Sequence, residues 1–582
     1  MGFRRSRSAG VAALVAALVM ALASCGHPQL GPGPGHGAAP PRVLTAAARA
    51  AAAKRAADAR VAAVVDAMSL PEKVGQLLVS MVPGTAAADG GAALVRHYHV
   101  GGVIYFANNI QTASQVARLS RQLQQAATGQ RAGVPLLIGT DQEGGIVSRL
   151  GGVGTLFPGE MASGATRDPA EIFAQERVAG TELRALGINL DYAPVADVNV
   201  DPANPVIGIR SFGSDPGLVS AMTKAAVAGF HAAGEAATAK HFPGHGDTDV
   251  DSHTGLPIIH HTLAQWWRID APPFEAAIGA GVDEIMIAHI VVPALDRSRV
   301  PASLSRTIVT GILRDKLGYH GVVTSDSLQM AAVLDGRSGA QSAVEAIEAG
   351  CDQVLMPDNL PAAYHALLTA VRTGRIAAAQ LDASLTRIIS LKFARGLLPH
   401  LAAGRADPQV HTAQQGAVAQ QLADRAVTMV RNRGAASGTA RVLPIRPGQS
   451  VYLAGPAAPG LAAPLQAELG ARGGRLVAAP GRADVIVVAT LDAIGDPAQQ
   501  RLVAGLVATG KPVVVVAMGE PYDLGLFPGS AAAIATYSDS GVSIIATAAV
   551  LAGRLSPSGR LPVSIPAASG GIAYPYGTGF EY

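Results

Sequence analysis

Short apolar runs recur along the first two thirds of the chain and are separated by longer segments with helical periodicity. Many of these runs are apolar at consecutive positions, a pattern typical of strands that are covered on both faces. The segments between them, such as 169–186 and 215–233, have the length and period of helices. The pattern predicts eight βα units, with strands over 76–81, 101–106, 135–140, 189–198, 236–242, 284–290, 321–325 and 353–356.

Eight βα units can form either a closed parallel barrel or an open doubly wound sheet. The positions of polar residues favour the barrel, because the catalytic side chains of such barrels lie at the C-terminal ends of the strands. We therefore predict a TIM-type (β/α)8 barrel over 46–396, opened by a helix over 46–68 and closed by one over 381–396. The polar residues at the predicted strand ends are Asp141, Asp197, Lys240 with His241, His289 and Asp326.

The periodic pattern restarts after a predicted linker over 397–414. These later runs alternate with helical segments and predict a smaller α/β sandwich domain over 415–582. Two domains also suit a chain of 582 residues, at roughly 100–200 residues per domain with barrels running larger. The apolar runs of this half lie at 421–431, 451–454, 485–490, 513–518 and 533–537.

The first residues have the two halves of an export signal. Arg4, Arg5 and Arg7 precede an apolar run over 11–23 that is too short to span a bilayer comfortably. The run ends in Leu-Ala-Ser-Cys at 22–25, which resembles the lipobox of bacterial lipoproteins. This resemblance implies a signal peptide over 1–25, lipidation of Cys25, a flexible tether over 26–45 and anchoring to the outer face of the cell membrane. A plain secretory signal with an incidental cysteine is the alternative.

Composition narrows the classes of partner. The only other cysteine is Cys351, so no internal disulfide can form once Cys25 is modified, and stability must come from apolar cores. Lys and Arg (45) nearly balance Asp and Glu (42). Because a domain that binds phosphates usually carries a concentrated basic face, nucleic acid is not an expected partner. We expect a monomer.

The stretch 240–253 reads Lys-His-Phe-Pro-Gly-His-Gly-Asp-Thr-Asp-Val-Asp-Ser-His. It follows a predicted strand and is too polar and too rich in glycine to be core, so we interpret it as a loop. Lys240 argues against a metal site here, because a cation beside a divalent ion is electrostatically costly. We expect neither a metal nor another cofactor. A metal site is nevertheless the alternative, because the stretch contains five side chains of the types that bind metals: His241, His245, Asp249, Asp251 and His253.

This stretch resembles the β-N-acetylglucosaminidase branch of glycoside hydrolase family 3, which is marked by Lys-His-Phe-Pro-Gly-His-Gly followed shortly by Asp-Ser-His. The resemblance extends from about 68 to 396 and continues more loosely into the C-terminal half. Many relatives have a second aspartate at the position after Asp326, where this chain has Ser327. Three further motifs match in order: Asp-Gln-Glu-Gly-Gly at 141–145 with Arg149, Val-Ile-Gly-Ile-Arg-Ser-Phe at 206–212, and Val-Thr-Ser-Asp-Ser-Leu-Gln-Met at 323–330.

The resemblance implies retaining hydrolysis of terminal β-linked N-acetylglucosamine through a covalent intermediate. Such a reaction needs a carboxylate that traps the anomeric centre and a second group that protonates the leaving oxygen and then deprotonates water. The resemblance assigns the first role to Asp326 and the second to His253, oriented by Asp251. An imidazole suits the shuttle because its unperturbed pKa is about 6.5. For Asp326 the alternative is a helix N-cap.

The resemblance also implies that Asp141, Arg149, Arg210, Lys240 and His241 bind sugar hydroxyls, with ordinary strand-end salt bridges as the alternative. In the β-glucosidase branch the second domain lends the acid/base carboxylate. A barrel with its own Asp–His pair therefore implies a second domain that is structural or shapes the outer subsites. The expected substrates are β-N-acetylglucosaminide glycans, including muropeptide fragments of peptidoglycan. A phosphorylase and an inactive lipid-anchored sugar-binding protein are the alternatives.

Overall fold

The computed structural model describes residues 46–334, 336–398, 408–433 and 441–582. The predicted signal peptide, the tether and Cys25 lie outside the described residues, as does the middle of the predicted linker. The chain divides into two compact units, Met1–Ala56 and Ala57–Tyr582. The described part of the first unit is the beginning of the helix Ala46–Ala67, and all the elements discussed below belong to the second.

Eight parallel strands of this second unit close a barrel, as predicted. Each strand pairs with the next along the chain, and the last strand pairs with the first, where Leu78 lies opposite Val354. The alternative of an open doubly wound sheet is therefore wrong. The barrel strands are β1 (Leu78–Met81), β2 (Gly102–Tyr105), β3 (Leu137–Thr140), β4 (Leu190–Asp191), β5 (Ala236–Phe242), β6 (Glu284–Ile287), β7 (Val322–Ser327) and β8 (Gln353–Leu355).

Helices connect consecutive barrel strands and cover their outer faces. Two of the connecting helices begin with an aspartate whose side chain accepts a backbone N–H, followed by proline at the first helical position: Asp168 before Pro169 and Asp215 before Pro216. The helices of the barrel region after Ala67 are Leu70–Gly75, Gly91–Tyr98, Ala113–Thr128, Glu160–Thr166, Pro169–Ala185, Pro216–Ala233, Leu263–Ile269, Ala271–Gly279, the π-helix Thr307–Lys316, Ala331–Leu334, Gly339–Ala349, Leu360–Arg372 and Ala378–Ala394.

The C-terminal part forms a smaller α/β domain, as predicted, around a mixed sheet. Its strands are β9 (Thr428–Asn432), β10 (Ser450–Ala454), β11 (Arg475–Leu476), β12 (Val485–Thr490), β13 (Val513–Ala517) and β14 (Ala532–Ala535). Their order is β9-β14-β13-β12-β10-β11, with β9 antiparallel to β14 and the other neighbours parallel. Its helices are Ala413–Ala426, Ala458–Gly470, Pro497–Val507 and Gly541–Ala552, and a small strand pair, Ile565–Pro566 with Ile572–Tyr574, follows.

Both faces of this sheet are buried. Along β12, Ile486 and Val488 belong to one apolar cluster, whereas Val485 and Val487 belong to another. This alternation explains why the run is apolar at consecutive positions. Two boundary predictions were wrong. The run 421–431 is helical as far as Ala426 and becomes a strand only at Thr428. The barrel run 189–198 is a strand only over Leu190–Asp191.

Cys351 is a free cysteine, and its side chain is buried in the barrel core. A membrane-spanning helix is not found among the residues that the structure describes, since none of their helices is both long and apolar enough.

Candidate active site

A cavity of about 380 Å³ opens at the C-terminal ends of the barrel strands. Parallel strands all present these ends on one face, so residues far apart in sequence meet there. Asp251 is not part of the lining but contacts His253, which is. The predicted site residues that line the cavity are Asp141, Arg149, Arg210, Lys240, His241, His253 and Asp326.

Asp326 lies near the end of β7, half-buried at the cavity. The Ser327 N–H donates to its Oδ1 at 2.7 Å. Burial raises the pKa of Asp326, but interactions with His241 and His289 and the Ser327 hydrogen bond outweigh burial and hold this pKa below its usual value. The carboxylate is therefore ionised at neutral pH. The N-cap alternative is wrong, because the next helix begins only at Ala331.

His253 and Asp251 form a hydrogen-bonded pair on the loop after β5. The Nδ1 atom of His253 lies 2.7 Å from Asp251 Oδ1, and the same oxygen accepts the backbone N–H of His253 at 2.8 Å. Burial raises the pKa of Asp251, but these bonds from His253 outweigh it and hold the pKa below its usual value. Because Asp251 engages Nδ1, Nε2 is left to exchange a proton. The His253 side chain is 62% exposed, so solvent and ligand can reach it.

Backbone contacts join the His253 loop to the segment that follows Asp326. The N–H groups of Ala331 and Ala332 point to the carbonyl oxygens of His253 and Ser252, each at 3.4 Å. The Ser252 hydroxyl also lies 3.0 Å from Nε2 of His245, a side chain that lines the cavity. These contacts place the imidazole and the Asp326 carboxylate at the same cavity.

Asp197, His241 and His245 form a buried support beneath the cavity. Asp197 Oδ2 lies 2.7 Å from His241 Nδ1, and Asp197 Oδ1 accepts the backbone N–H of His245 at 2.7 Å. Burial lowers the pKa of His245 to about 4, so its ring is neutral at pH 7. Asp197 therefore orients the His241 ring and holds the backbone at His245, and the His245 ring supports the loop through Ser252.

His289, predicted at the end of β6, is buried behind the cavity. Its Nδ1 lies 2.7 Å from the Ser303 hydroxyl and its Nε2 lies 3.0 Å from the Ser327 carbonyl oxygen. Burial lowers the pKa of His289 below its usual value. The structure therefore places this histidine in support of the β7 end that carries Asp326.

Glu143 lines the cavity and makes strong contacts there, although no role was predicted for it from the sequence. Its Oε2 accepts from Nε of Arg210 and its Oε1 accepts from Nη2 of Arg210, both at 2.8 Å. Oε1 also lies 2.6 Å from Nζ of Lys240. Lys240 also donates to Asp141 at 2.7 Å. The salt bridges of the alternative interpretation thus exist, and the same side chains line the cavity.

The charges of this cluster stabilise one another. Burial opposes the charged forms, but the neighbouring opposite charges hold the pKa of Glu143 well below and the pKa of Lys240 well above their usual values. Arg149 is held less tightly: it lies 3.9 Å from Asp141 and 5.3 Å above the Phe106 ring, and it keeps a third of its side chain exposed. Four buried or partly buried charges and one accessible guanidinium therefore surround the cavity.

Replacing Glu143 by glutamine is expected to destabilise the fold strongly, because two buried cations lose their shared carboxylate. We expect the free energy of unfolding to fall by about 3–5 kcal/mol, measured by urea denaturation. Glu348 offers a matched control, since it also binds an arginine, Arg375, through both oxygens but at the surface. Glu348→Gln should cost about 1 kcal/mol or less. Equal losses in the two variants would contradict this account of the cluster.

The metal alternative concerns side chains at and beyond the end of β5. Among the residues that the structure describes, no group of three or more His, Cys, Asp or Glu side chains is arranged to hold a metal ion. Three of the potential ligands are engaged elsewhere: His241 with Asp197, His245 with Ser252, and Asp251 with His253.

Fold and site together define a two-domain (β/α)8-barrel protein with a charged, ligand-sized cavity at the C-terminal face of the barrel. Two family models match the chain: the glycosyl hydrolase family 3 N terminal domain over residues 69–391 and the glycosyl hydrolase family 3 C-terminal domain over residues 427–582. The chain belongs to glycosyl hydrolase family 3, which confirms the resemblance drawn from its motifs.

Individual relatives agree with this assignment. The chain is 39% identical to beta-hexosaminidase A of Pseudoalteromonas piscicida, over 61% of this chain and 62% of that protein. It is 34% identical to a beta-N-acetylglucosaminidase/beta-glucosidase of Cellulomonas fimi, over 62% of this chain and 65% of that protein. The match thus spans less than two thirds of either relative. A solved family 3 beta-N-acetylglucosaminidase from Paenibacillus sp. FPU-7 superposes with a TM-score of 0.79 at 35% identity, over 85% of this chain and 99% of that one.

Proposed function

We propose that the protein is a retaining exo-β-N-acetylglucosaminidase. The observation that carries the proposal is the shared cavity: the ionised Asp326 carboxylate lines it from the end of β7, and the imidazole of the His253–Asp251 pair lines it from the loop after β5. The names of the relatives, beta-hexosaminidase and beta-N-acetylglucosaminidase, support the choice of sugar.

The proposed reaction has two steps. In the first, Asp326 attacks the anomeric carbon and the bond to the leaving oxygen breaks, while His253 gives that oxygen its Nε2 proton. In the second, the neutral imidazole takes a proton from water, whose oxygen attacks the anomeric carbon and releases Asp326. Asp251 stabilises the protonated imidazole at the start of the cycle and holds its orientation throughout. The sugar keeps its configuration because the carbon is inverted twice.

The charged cluster would hold the sugar in place. Asp141 offers an acceptor to hydroxyl groups, and Arg149, Arg210 and Lys240 offer donors at the cavity wall, beside His241. Fixed charges recognise a polyol well because each hydroxyl both donates and accepts a hydrogen bond. We propose that these five residues bind the non-reducing sugar.

We further propose that the protein is a monomer attached to the outer face of the cell membrane through lipidated Cys25 and that it acts on peptidoglycan-derived fragments. The lipobox-like sequence at 22–25 supports the anchor. Replacing Cys25 by alanine should release the protein from the membrane fraction into the soluble fraction. A variant that stays with the membranes would contradict the anchor and leave the proposed chemistry untouched.

The proposed activity is tested with chromogenic β-N-acetylglucosaminide and β-glucoside, each with and without phosphate. We expect faster turnover of the N-acetylglucosaminide, release of free sugar, and no acceleration by phosphate. Phosphorolysis is the second candidate, because an imidazole, unlike a carboxylate, does not repel a phosphate dianion. Formation of sugar-1-phosphate would select it. Binding of the sugar without turnover would select the inactive binding protein.

A further inference from the structure

The loop that carries Arg210 is attached to the C-terminal domain. Ile209 is buried in an apolar cluster whose members come mostly from that domain, among them Tyr522 and Leu524. The next residue, Arg210, lines the sugar cavity of the barrel. Two adjacent residues of the short turn Gly208–Arg210 therefore pack in different places: Ile209 against the C-terminal domain and Arg210 at the barrel cavity.

Glu520 makes the polar contact of this attachment. It follows β13 in the C-terminal domain, and its Oε1 accepts the backbone N–H of Ile209 at 3.2 Å. Gly208 has a φ of +44°, and a Cβ at this position would lie 2.1 Å from the same oxygen, so the carboxylate lies directly against the loop backbone. The backbone N–H of Glu520 is in turn held by Asp492 Oδ1 at 3.0 Å.

A short chain of contacts leads from this attachment to the cavity. The Nη1 atom of Arg210 donates to the Val206 carbonyl oxygen at 2.8 Å, which fixes the guanidinium relative to its own loop. The other guanidinium nitrogens bind Glu143, and Glu143 lies 2.6 Å from Lys240. A shift of the loop would therefore move Arg210 and disturb its partners in the cavity wall.

We infer that Glu520 is a positioning residue: from the C-terminal domain it holds the loop so that Arg210 faces the bound sugar. The inference rests on the proposed function, since it takes Arg210 to be a sugar-binding group. It gives the C-terminal domain a part in substrate binding while both proton transfer and nucleophilic attack stay on the barrel. The contact needs an acceptor oxygen at Glu520 rather than a negative charge.

A glutamine can supply that oxygen. Burial raises the pKa of Glu520 to about 7, so the neutral acid is accessible in the native protein and glutamine is its close mimic. Glu520→Gln should therefore preserve the loop, whereas Glu520→Ala removes the acceptor. Glu581, which is exposed in the same domain, supplies a control that removes a carboxylate away from this loop.

Hydrogen exchange of the full chain tests the attachment without any substrate. In Glu520→Ala the peptide that contains 206–212 should exchange faster, with the barrel strands unchanged, and it should keep its native rate in Glu520→Gln and Glu581→Ala. If Glu520→Ala does not fold, Gly208→Ala tests the same contact from the other side and should also speed exchange. Native exchange rates in the folded variant would overturn the inference.

Kinetics test whether the attachment serves Arg210. We expect kcat/KM of Glu520→Ala to fall about tenfold, mainly through KM, because sugar binding is lost equally in ground and transition states. Glu520→Gln should stay within about threefold of the native protein. In an Arg210→Ala background, Glu520→Ala should cause no further loss. Additive losses would overturn the role in sugar positioning, and an inactive native protein would overturn the proposed function while the exchange result still decides the attachment.

Discussion

Replacing Asp326 by asparagine is expected to lower kcat for a β-N-acetylglucosaminide by roughly 10⁴- to 10⁶-fold. Losses of this size are typical when the nucleophile is removed from a set of catalytic residues that act together. Asparagine has the same shape and can still accept the Ser327 N–H. The unfolding temperature should therefore stay within a few degrees of the native value. Steady-state rates and thermal unfolding of the same preparation provide the measurement, with the exposed Asp539 changed to alanine as a control.

The native protein allows a direct check of the same role. Incubation with a substrate whose glycosyl-enzyme hydrolyses slowly should add one sugar mass to the peptide that contains Asp326, and Asp326→Asn should show no adduct.

The depressed pKa of Asp326 also has a consequence for pH dependence. The nucleophile loses its charge only below the usual aspartate range, so its protonation should not reduce kcat/KM between about pH 5 and 7. Turnover by Asp326→Asn within tenfold of native would contradict the assignment.

The barrel strands could be predicted because the burial of a strand is reflected in the polarity of its own consecutive residues. A strand buried on both faces is apolar at consecutive positions, as in β2, where all four residues of Gly-Val-Ile-Tyr are buried. The same signal misled at 421–431, where the buried Leu422, Ala423 and Ala426 of a helix run directly into the buried start of β9. Apolar runs of this length do not distinguish a helix end from a strand start.

Site residues differ in the same way. The contact between Asp251 and His253 joins residues two positions apart, so their spacing alone makes it feasible. Glu143 lies within the motif at 141–145, but its role is to bind Arg210 and Lys240, which are 67 and 97 positions away. Only the closed barrel brings these three side chains together. The contact between Glu520 and Ile209 forms only when the two domains pack together. Such long-range pairs carry no periodicity, and a single sequence gives no signal for them.

Replacing His253 by alanine is expected to slow hydrolysis of a glycoside with a poor leaving group by roughly 10²- to 10⁴-fold, because the leaving oxygen then departs without a proton. A leaving group that is stable as an anion needs no proton, so its first step should keep nearly the native rate. The second step still lacks a base to activate water. The variant should therefore release one equivalent of this leaving group in a rapid burst and then turn over slowly.

Asp251→Asn should give a milder form of the same behaviour, since it keeps a hydrogen-bonding partner for Nδ1 but removes the charge that favours the protonated imidazole. The exposed His365 changed to alanine controls for loss of a histidine elsewhere. Stopped-flow measurement of the burst separates the two steps, and the leaving-group dependence separates proton transfer from a loss of folding, which would slow every substrate equally. Native rates of His253→Ala on the poor leaving group would assign the shuttle to a different side chain, and His245, which lines the same cavity, would be the next to replace.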